Sequence, residues 1–190
     1  MNEPVWPEHN WQQAVEAAAA EGDERPTWAY DWPAGKRLAG ELTELATLDG
    51  QRVCDLGCGR GRLGLIAAMA GAQVTWADGS PHPLAFVAAT AACNGLAGQH
   101  VLHQWGEPVP HGPYDLIVGG DILYRPECFT ALLRSIADSL APHGQALLSD
   151  PRSRLESELP EIAATCGLSW RSERRPAGYT LVCLAHQHCD

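Results

Sequence analysis

Long apolar segments are absent from this chain of 190 residues. A helix needs about 20 consecutive apolar residues to cross a bilayer, and no run in the sequence approaches that length. The first ten residues are polar and contain proline, so they also lack the basic and then apolar pattern of a secretory signal. We therefore expect no membrane partner and a cytoplasmic location.

Paired cysteines are missing as well. The seven cysteines are an odd number, and none of them forms a Cys-x-x-Cys pair. This pattern argues against a disulfide framework and against a zinc knuckle. The C-terminal sequence His-Gln-His-Cys-Asp contains metal-ligand residue types, but chain ends are usually frayed, so we expect no metal site.

Basic residues are scarce, since 13 Lys and Arg stand against 23 Asp and Glu and give a net charge of −10. Nucleic-acid binders normally carry a basic face, and the one basic cluster, Arg171 to Arg175, is interrupted by Glu173. The composition therefore disfavours a nucleic-acid partner. An acidic surface would suit a basic protein substrate, but it also serves solubility alone, and both interpretations stay open.

From residue 51 onward, strand and helix patterns alternate, which predicts a parallel sheet covered by helices on both faces. The expected strands are 52–56, 73–77, 100–104, 114–119 and 144–149, and the expected helices are 61–70, 82–93, 126–140 and 155–166. A glycine follows each expected helix, where a left-handed cap residue is favoured, at positions 71, 95, 144 and 167.

Both ends of the chain depart from this alternation. Two strand-like runs, 168–174 and 179–185, are separated by only four residues, too few for a crossover helix, so they must pair as an antiparallel hairpin. Before the core, residues 11–21 and 34–47 have helical patterns, with an aromatic, proline-rich stretch between them.

These patterns predict one domain over residues 1–190. Residues 1–33 would supply an N-terminal helix and an aromatic loop for substrate or cofactor, and residues 34–190 a Rossmann-like α/β core. The expected core is a mostly parallel seven-stranded sheet with helices on both faces and a C-terminal antiparallel hairpin. That architecture is typical of the class I methyltransferases that use S-adenosylmethionine (SAM).

A glycine-rich turn carries the strongest functional signal. Residues 53–64 form an apolar strand with Asp55 at its end, then glycines at alternate positions from 57 to 61, then a helix. Glycine lets a ligand approach the main chain, and a helix N-terminus accepts anions such as the SAM carboxylate. Asp55 would serve the cationic end of SAM, through water or through the loop. Asp78, at the end of the next strand, would accept hydrogen bonds from the two ribose hydroxyls.

The turn by itself is weak evidence, because NAD enzymes use a similar one. The NAD fingerprint is Gly-x-Gly-x-x-Gly, whereas the glycines here alternate at 57, 59 and 61. An acidic residue at the strand end before the first glycine also favours SAM over NAD. The plainest alternative is that these glycines serve only a tight turn.

Three further stretches carry a family resemblance: Trp28-Ala-Tyr-Asp-Trp-Pro-Ala-Gly-Lys-Arg-Leu-Ala, Gln104-Trp-Gly and Gly119-Gly-Asp-Ile-Leu-Tyr. Together with the glycine turn, they resemble the seven-strand protein methyltransferases that modify lysine or histidine side chains. The branch most similar contains the lysine methyltransferase of the electron-transfer flavoprotein β-subunit and its bacterial relatives. The resemblance covers about residues 27–185.

This chain departs from that branch at two places. Ser149-Asp-Pro-Arg is similar to the branch's Gly-Asp-Pro-Gly-Arg stretch, but it lacks the glycine before the arginine, which leaves the flavoprotein substrate open. Asp78 is followed by Gly-Ser-Pro, where relatives more often carry bulkier polar residues.

The resemblance implies a role for each matching residue. Asp121 and Tyr124 match an Asp-x-x-Tyr motif that faces the incoming side chain, so they are the expected catalytic residues. With Asp55, the expected cofactor-binding residues are Trp32 at the methionine end of SAM, Gly57, Cys58 and Gly59 through their backbone, Asp78 at the ribose, Trp105 against the adenine and Gly120 beneath the cofactor.

Strand topology supports the same set, because ligands of open α/β sheets bind outside the carboxyl ends of the strands. Asp55, Asp78, Trp105 and Asp121 all fall at such ends. Plainer roles stay open: Asp121 could be a helix N-cap, and the aromatic residues at 32, 105 and 124 could serve packing alone.

The expected reaction is methyl transfer from SAM to a nitrogen of a protein side chain, lysine first and histidine second, with S-adenosylhomocysteine as product. It needs a neutral nucleophile held about 3 Å from the methyl carbon and roughly in line. Asp121 could orient the nitrogen, and Tyr124 could close the channel and exclude water. The alternatives are a methyltransferase for a small molecule and an inactive SAM-fold partner protein. We expect a monomer.

Overall fold

The structure, a computed structural model, describes residues 3–23, 26–152 and 159–187. Within these residues the helices are α1 Glu8–Ala20, α2 Pro33–Leu45, α3 Arg62–Met69, α4 Pro81–Cys93, α5 Phe129–Ser139 and α6 Leu159–Thr165. The strands are β1 Arg52–Leu56, β2 Gln73–Asp78, β3 Gly98–Leu102, β4 Tyr114–Gly120, β5 Leu140–Asp150, β6 Leu168–Arg174 and β7 Thr180–His186. Short 3₁₀ turns at Thr27–Ala29 and Pro126–Cys128 precede α2 and α5.

One sheet joins these strands in the order β3-β2-β1-β4-β5-β7-β6. The strands β1 to β5 are parallel, whereas β7 pairs antiparallel with both β5 and β6. The predicted fold class, a mostly parallel seven-stranded sheet with a C-terminal antiparallel hairpin, is confirmed. The insertion of β7 between β5 and β6 was not predicted, because the hairpin pattern does not say which of its strands joins the sheet.

Alternating side chains along the strands divide the core into two layers. In β4, Leu116 and Val118 pack in the layer that includes α1 to α4, whereas Ile117 packs in the layer that includes α5 and α6. Leu38 of α2 and Leu132 of α5 are fully buried in their respective layers. Helices therefore cover both faces, which is why the central strands are continuous apolar runs.

The structure corrects the predicted role of Gly144. The fifth strand begins at Leu140, directly after α5, and not at residue 144, so Gly144 lies inside a strand and caps no helix. A Cβ on Gly144 would stand 2.6 Å from the carbonyl oxygen of Tyr114, so the close approach of β4 explains the glycine. The glycines at 71, 95 and 167 do have the left-handed φ values expected of caps, 93°, 66° and 74°.

Smaller differences concern the ends of elements. The third strand is Gly98–Leu102, two residues earlier than predicted, and α1 begins at Glu8. Residues 155–158 of the predicted helix 155–166 lie outside the described residues, as do residues 188–190 of the His-Cys tail. None of the helices in the described ranges has the length and apolar character needed to cross a membrane.

Candidate active site

One cavity of about 680 Å³ opens at the carboxyl ends of the parallel strands. It is lined by all ten of the residues predicted for the site: Trp32, Asp55, Gly57, Cys58, Gly59, Asp78, Trp105, Gly120, Asp121 and Tyr124. These residues come from five separate stretches of sequence, and the sheet brings them together because the carboxyl ends of parallel strands share one edge.

The glycine turn is shaped by what packs against it. Gly57 and Gly59 have φ values of 64° and 50°, a region that favours glycine. A Cβ on Gly57 would lie 2.8 Å from Cγ2 of Ile122, and one on Gly59 would lie 3.2 Å from the carbonyl oxygen of Trp28. Between them, the Cys58 N–H donates to the carbonyl oxygen of Ala77 at 3.0 Å, which ties the turn to β2.

Asp55 lies beneath this turn with 2 % of its surface exposed. Its Oδ2 accepts the N–H of Gly64 at 2.8 Å, and Gly64 lies in the first turn of α3. Burial, followed by the nearby charge of Asp78, raises the pKa of Asp55 to about 8. The carboxyl therefore holds the glycine turn and the start of α3.

The raised pKa of Asp55 predicts a pH-dependent stability. An unfolded aspartate ionises at about pH 3.9, whereas folded Asp55 keeps its proton to about pH 8. The proton favours the folded state, so the stability that Asp55 contributes is complete below the unfolded pKa and is lost as the pH rises through about 8.

Asp55→Asn cannot ionise, yet its amide oxygen can still accept the Gly64 N–H. As the pH rises from 5 to 8, the wild type should lose stability that the variant keeps. We therefore expect the free energy of unfolding of the variant, minus that of the wild type, to increase over this range when both are measured by urea denaturation. Asp78 is present in both proteins, so its own titration largely cancels in this difference. A difference that does not change with pH would mean that Asp55 is ionised throughout.

Asp78 ends β2 and faces the same turn. Its Oδ2 accepts the Gly59 N–H at 2.9 Å, and its Oδ1 accepts the Ser80 N–H at 3.0 Å. Burial raises the pKa of this carboxyl, and the backbone N–H groups partly oppose that rise. A carboxylate held at two backbone positions is oriented in advance for a ligand with hydroxyl groups.

Asp121 follows β4 in a left-handed conformation, with a φ of 56°, which is uncommon for a residue other than glycine. Its Oδ2 accepts the Gly35 N–H in the first turn of α2 at 2.6 Å. One of the two carboxylate oxygens of Asp121 therefore caps a helix, which is the plainer role that the sequence left open. The other oxygen, Oδ1, is buried without a hydrogen-bond partner among the described residues. Burial raises the pKa of Asp121.

Close backbone packing puts Asp121 beside α2. A Cβ on Gly120 would stand 2.7 Å from the Cα of Gly35, and a Cβ on Gly35 would stand 3.2 Å from the Cα of Gly120. Glycine at position 120 therefore lets the helix approach the strand end this closely, and glycine at position 35 relieves a tight contact. The sequence motifs contained both glycines but not the reason for them.

Aromatic side chains form the outer wall of the cavity. Trp32 and Tyr124 are 45 % and 49 % exposed, and Trp32 donates its ring N–H to the carbonyl oxygen of Thr27 at 2.8 Å. Trp105 is half-buried, and its ring meets that of Tyr124 edge to face with centroids 6.5 Å apart. Much of the Trp32 and Tyr124 surface is therefore open to a ligand.

Sequence reasoning missed several residues that line the cavity. Asp150 is 1 % exposed and forms an ion pair with Arg152 at 2.8 Å, and Arg152 also donates to the carbonyl oxygen of Leu123. His103 is buried, and its Nε2 has no hydrogen-bond partner in the described part of the chain. The motif that contains Asp150 and Arg152 was noted for its resemblance, but nothing local indicated the ion pair.

The N-terminal segment, defined here as residues 3–23 and 26–32, holds the glycine turn from outside. The guanidinium of Arg60 lies 4.3 Å from the ring centroid of Trp11 and 5.2 Å from that of Trp6. Arg62 forms ion pairs with Asp31 at 2.7 Å and with Glu3 at 2.9 Å. These contacts make the segment a wall of the site, and their wide sequence separation left no pattern from which to predict them.

The sheet order, the glycine turn and the cavity define a class I methyltransferase fold. The chain belongs to the methyltransferase domain family, whose model matches residues 29–190. A TehB-like SAM-dependent methyltransferase from Corynebacterium glutamicum has the same fold, with a TM-score of 0.69 at 18 % identity over 94 % of this chain and 97 % of that one.

Curated relatives include protein methyltransferases. Protein N-lysine methyltransferase METTL21A of Danio rerio is 39 % identical over 58 % of this chain and 54 % of its own length. The electron transfer flavoprotein beta subunit lysine methyltransferase of Xenopus laevis is 34 % identical over 66 % of this chain and 52 % of its own length. The chain thus spans about half the length of these relatives, and the predicted family resemblance is confirmed.

Proposed function

We propose that this protein transfers a methyl group from SAM to a nitrogen of a protein side chain, lysine first and histidine second. The observation that carries the proposal is the convergence of the glycine turn, Asp78 and Asp121 on one cavity, with one oxygen of Asp121 left without a hydrogen-bond partner among the described residues. The similarity to lysine methyltransferases supports a protein acceptor. The proposal takes residues 1–190 as one catalytic domain.

The residues of the cavity fit SAM in size and in donor set. A volume of about 680 Å³ lies within the range of roughly 300–1,000 Å³ usual for ligand sites. In the proposed complex, Asp78 accepts from the ribose hydroxyls, Trp105 packs on the adenine and Trp32 borders the methionine end. Gly57, Cys58, Gly59 and Gly120 bring the main chain close to the cofactor, with Asp55 holding the turn from below.

SAM, when bound, supplies a methyl group made electrophilic by its sulfonium. The protein must then hold a neutral nitrogen in line with that carbon. Holding the two atoms in this geometry removes much of the entropic part of the activation barrier to methyl transfer. In the proposed mechanism Oδ1 of Asp121 accepts an N–H of the acceptor and fixes its direction. Tyr124 and Trp105 exclude water, and a dry site lowers the pKa of an incoming lysine ammonium so that it enters as the neutral amine.

A radiolabelled-methyl assay tests the proposal. The protein and labelled SAM are added to a lysate of cells that lack this enzyme, so that the acceptor is unmodified. We expect labelled protein bands, with the methyl group assigned by mass spectrometry to lysine, or to histidine as the second choice. Label in soluble products alone would indicate a small-molecule methyltransferase. Absence of any label, with SAM binding intact, would indicate the inactive partner protein.

Three further expectations belong to the proposal: the protein works as a monomer, in the cytoplasm, and on an acceptor that is not a nucleic acid. The net charge of −10 supports the last of these, because phosphate backbones bind basic surfaces.

A further inference from the structure

Basic side chains collect around the cavity although the chain as a whole is acidic. Arg60 and Arg62 line it at the glycine turn and the start of α3, where they contact Trp11 and Asp31. Lys36, Arg125 and Arg152 also line the cavity, and Arg37 and Arg174 lie next to it, so these five add to the two at the turn among the 13 basic residues of the chain. The carboxylates that share the cavity belong to the N-terminal segment and the glycine-turn side, or are engaged with Gly35 or Arg152: Asp23, Asp31, Asp55, Asp78, Asp121 and Asp150.

Arg37 and Arg174 direct their guanidinium groups at the same carbonyl oxygen. Arg37 Nη1 and Arg174 Nη2 lie 3.2 and 3.0 Å from the oxygen of Gly178. Arginine remains charged throughout the accessible pH range, so these two groups repel each other. Within residues 3–23, 26–152 and 159–187, neither forms an ion pair with a carboxylate. Both arginines are exposed, and an exposed guanidinium fork is suited to bind a carboxylate. Arg174 also donates from Nη1 to the Thr180 hydroxyl at 3.3 Å, so Arg37 has more of its fork open than Arg174.

The arginine pair stands beside the rim of the cavity. Arg174 Nη1 donates to the carbonyl oxygen of Pro151 at 3.0 Å, and Pro151 lines the cavity beside Arg152. On the other side, Arg37 directly follows Lys36, which lines the cavity. The pair therefore adjoins the part of the cavity wall that contains Lys36, Pro151 and Arg152.

We propose that Arg37 and Arg174, together with exposed Lys36, dock an acidic segment of the protein substrate next to the residue that accepts the methyl group. The inference rests on the proposed function and names the substrate class of the same site. Glutamate or aspartate carboxylates of the substrate accept hydrogen bonds from the two guanidinium groups, and this sets the register in which the acceptor side chain enters the cavity. The net charge of the chain alone would have suggested a basic substrate.

Peptide binding tests the docking surface directly. Two fluorescein-labelled peptides carry one lysine flanked on both sides either by glutamates or by glutamines, and their binding to the protein saturated with S-adenosylhomocysteine is followed by anisotropy. We expect the glutamate peptide to bind about tenfold more tightly. The preference should vanish at about 1 M salt, where the Debye length is only about 3 Å.

Variants assign the preference to the arginines. The double variant Arg37→Gln, Arg174→Gln should bind both peptides equally, while its affinity for S-adenosylhomocysteine stays at the wild-type level. Arg37→Glu is the second variant, since Arg37 is exposed and its one side-chain hydrogen bond within the described residues is to Gly178; the variant should prefer the glutamine peptide. Arg134→Gln on the exposed face of α5, away from the cavity lining, is the matched control and should keep the wild-type preference.

Equal binding of the two peptides to the wild type, or an unchanged preference in Arg37→Glu, overturns the inference. Tighter binding of a single-stranded oligonucleotide than of the glutamate peptide also overturns it and points to phosphate recognition. The lysate assay separates this failure from that of the proposed function. Methyl transfer to protein without a glutamate preference rejects the docking surface alone, whereas a glutamate preference without methyl transfer to any protein rejects the proposed reaction alone.

Discussion

Asp121→Asn is expected to remove most of the methyl transfer while leaving SAM affinity close to that of the wild type. The amide oxygen of asparagine can still accept the Gly35 N–H, so the start of α2 remains capped. What the variant loses is the negative charge at Oδ1, the buried oxygen without a partner among the described residues. Removing one preorganised polar group from an active site lowers kcat by roughly 10²–10³, and we expect a loss of that size.

The measurement pairs single-turnover methyl transfer with SAM affinity by calorimetry. Asp115→Asn is the matched control, because Asp115 also accepts a backbone N–H, that of Arg52 at 2.9 Å, at the opposite end of β4. It should transfer methyl groups at the wild-type rate. If Asp121→Asn is as active as the control while Asp121→Ala loses stability, then Asp121 serves only as the cap of α2, and the acceptor is oriented elsewhere.

Asp78→Ala is expected to weaken SAM binding by about 10- to 100-fold. The ribose hydroxyls would lose a charged acceptor, and a hydrogen bond to a charged group contributes about 1.5–3 kcal/mol. The structure adds a second reason, since Asp78 also holds the N–H groups of Gly59 and Ser80. The glycine turn loses part of its support when that carboxylate is removed.

Asp78→Asn separates the two contributions. Asparagine keeps one acceptor oxygen for the backbone but carries no charge, so its SAM affinity should lie between those of the wild type and Asp78→Ala. Asp138→Asn, on the exposed surface of α5, is the control and should bind SAM normally. Calorimetry that finds the same dissociation constant for Asp78→Ala and the wild type would exclude the ribose role.

Local patterns predicted much of the fold and of the candidate site. Strand β6 was predicted with the bounds that the structure has, Leu168–Arg174, because alternating side chains next to a four-residue turn leave few alternatives. Nine of the ten predicted residues share one cavity for a general reason, namely that each ends or follows a parallel strand, whereas Trp32 reaches it from the start of α2. Their roles toward SAM and the acceptor remain predictions, and the variants above test them.

Other features depend on residues that are distant in the chain. Nothing near Asp121 indicates that one oxygen binds Gly35, 86 residues earlier. The same holds for Arg37 and Gly178, which are 141 residues apart, and for Arg60 among the N-terminal tryptophans. Gly144 was misassigned because glycine after an apolar helical pattern usually marks a cap, whereas here the crowding by Tyr114 decided it.

Sequence by itself determined the fold class, the glycine turn and the set of residues at the strand ends, since backbone periodicity and glycine conformation are local properties. Tertiary structure alone decided that β7 enters the sheet beside β5, that one oxygen of Asp121 binds the start of α2 while the other is buried without a hydrogen-bond partner among the described residues, and that two arginines meet at one carbonyl group. Those arrangements follow from how helices and strands pack on one another, and packing brings together residues whose spacing along the chain has no period.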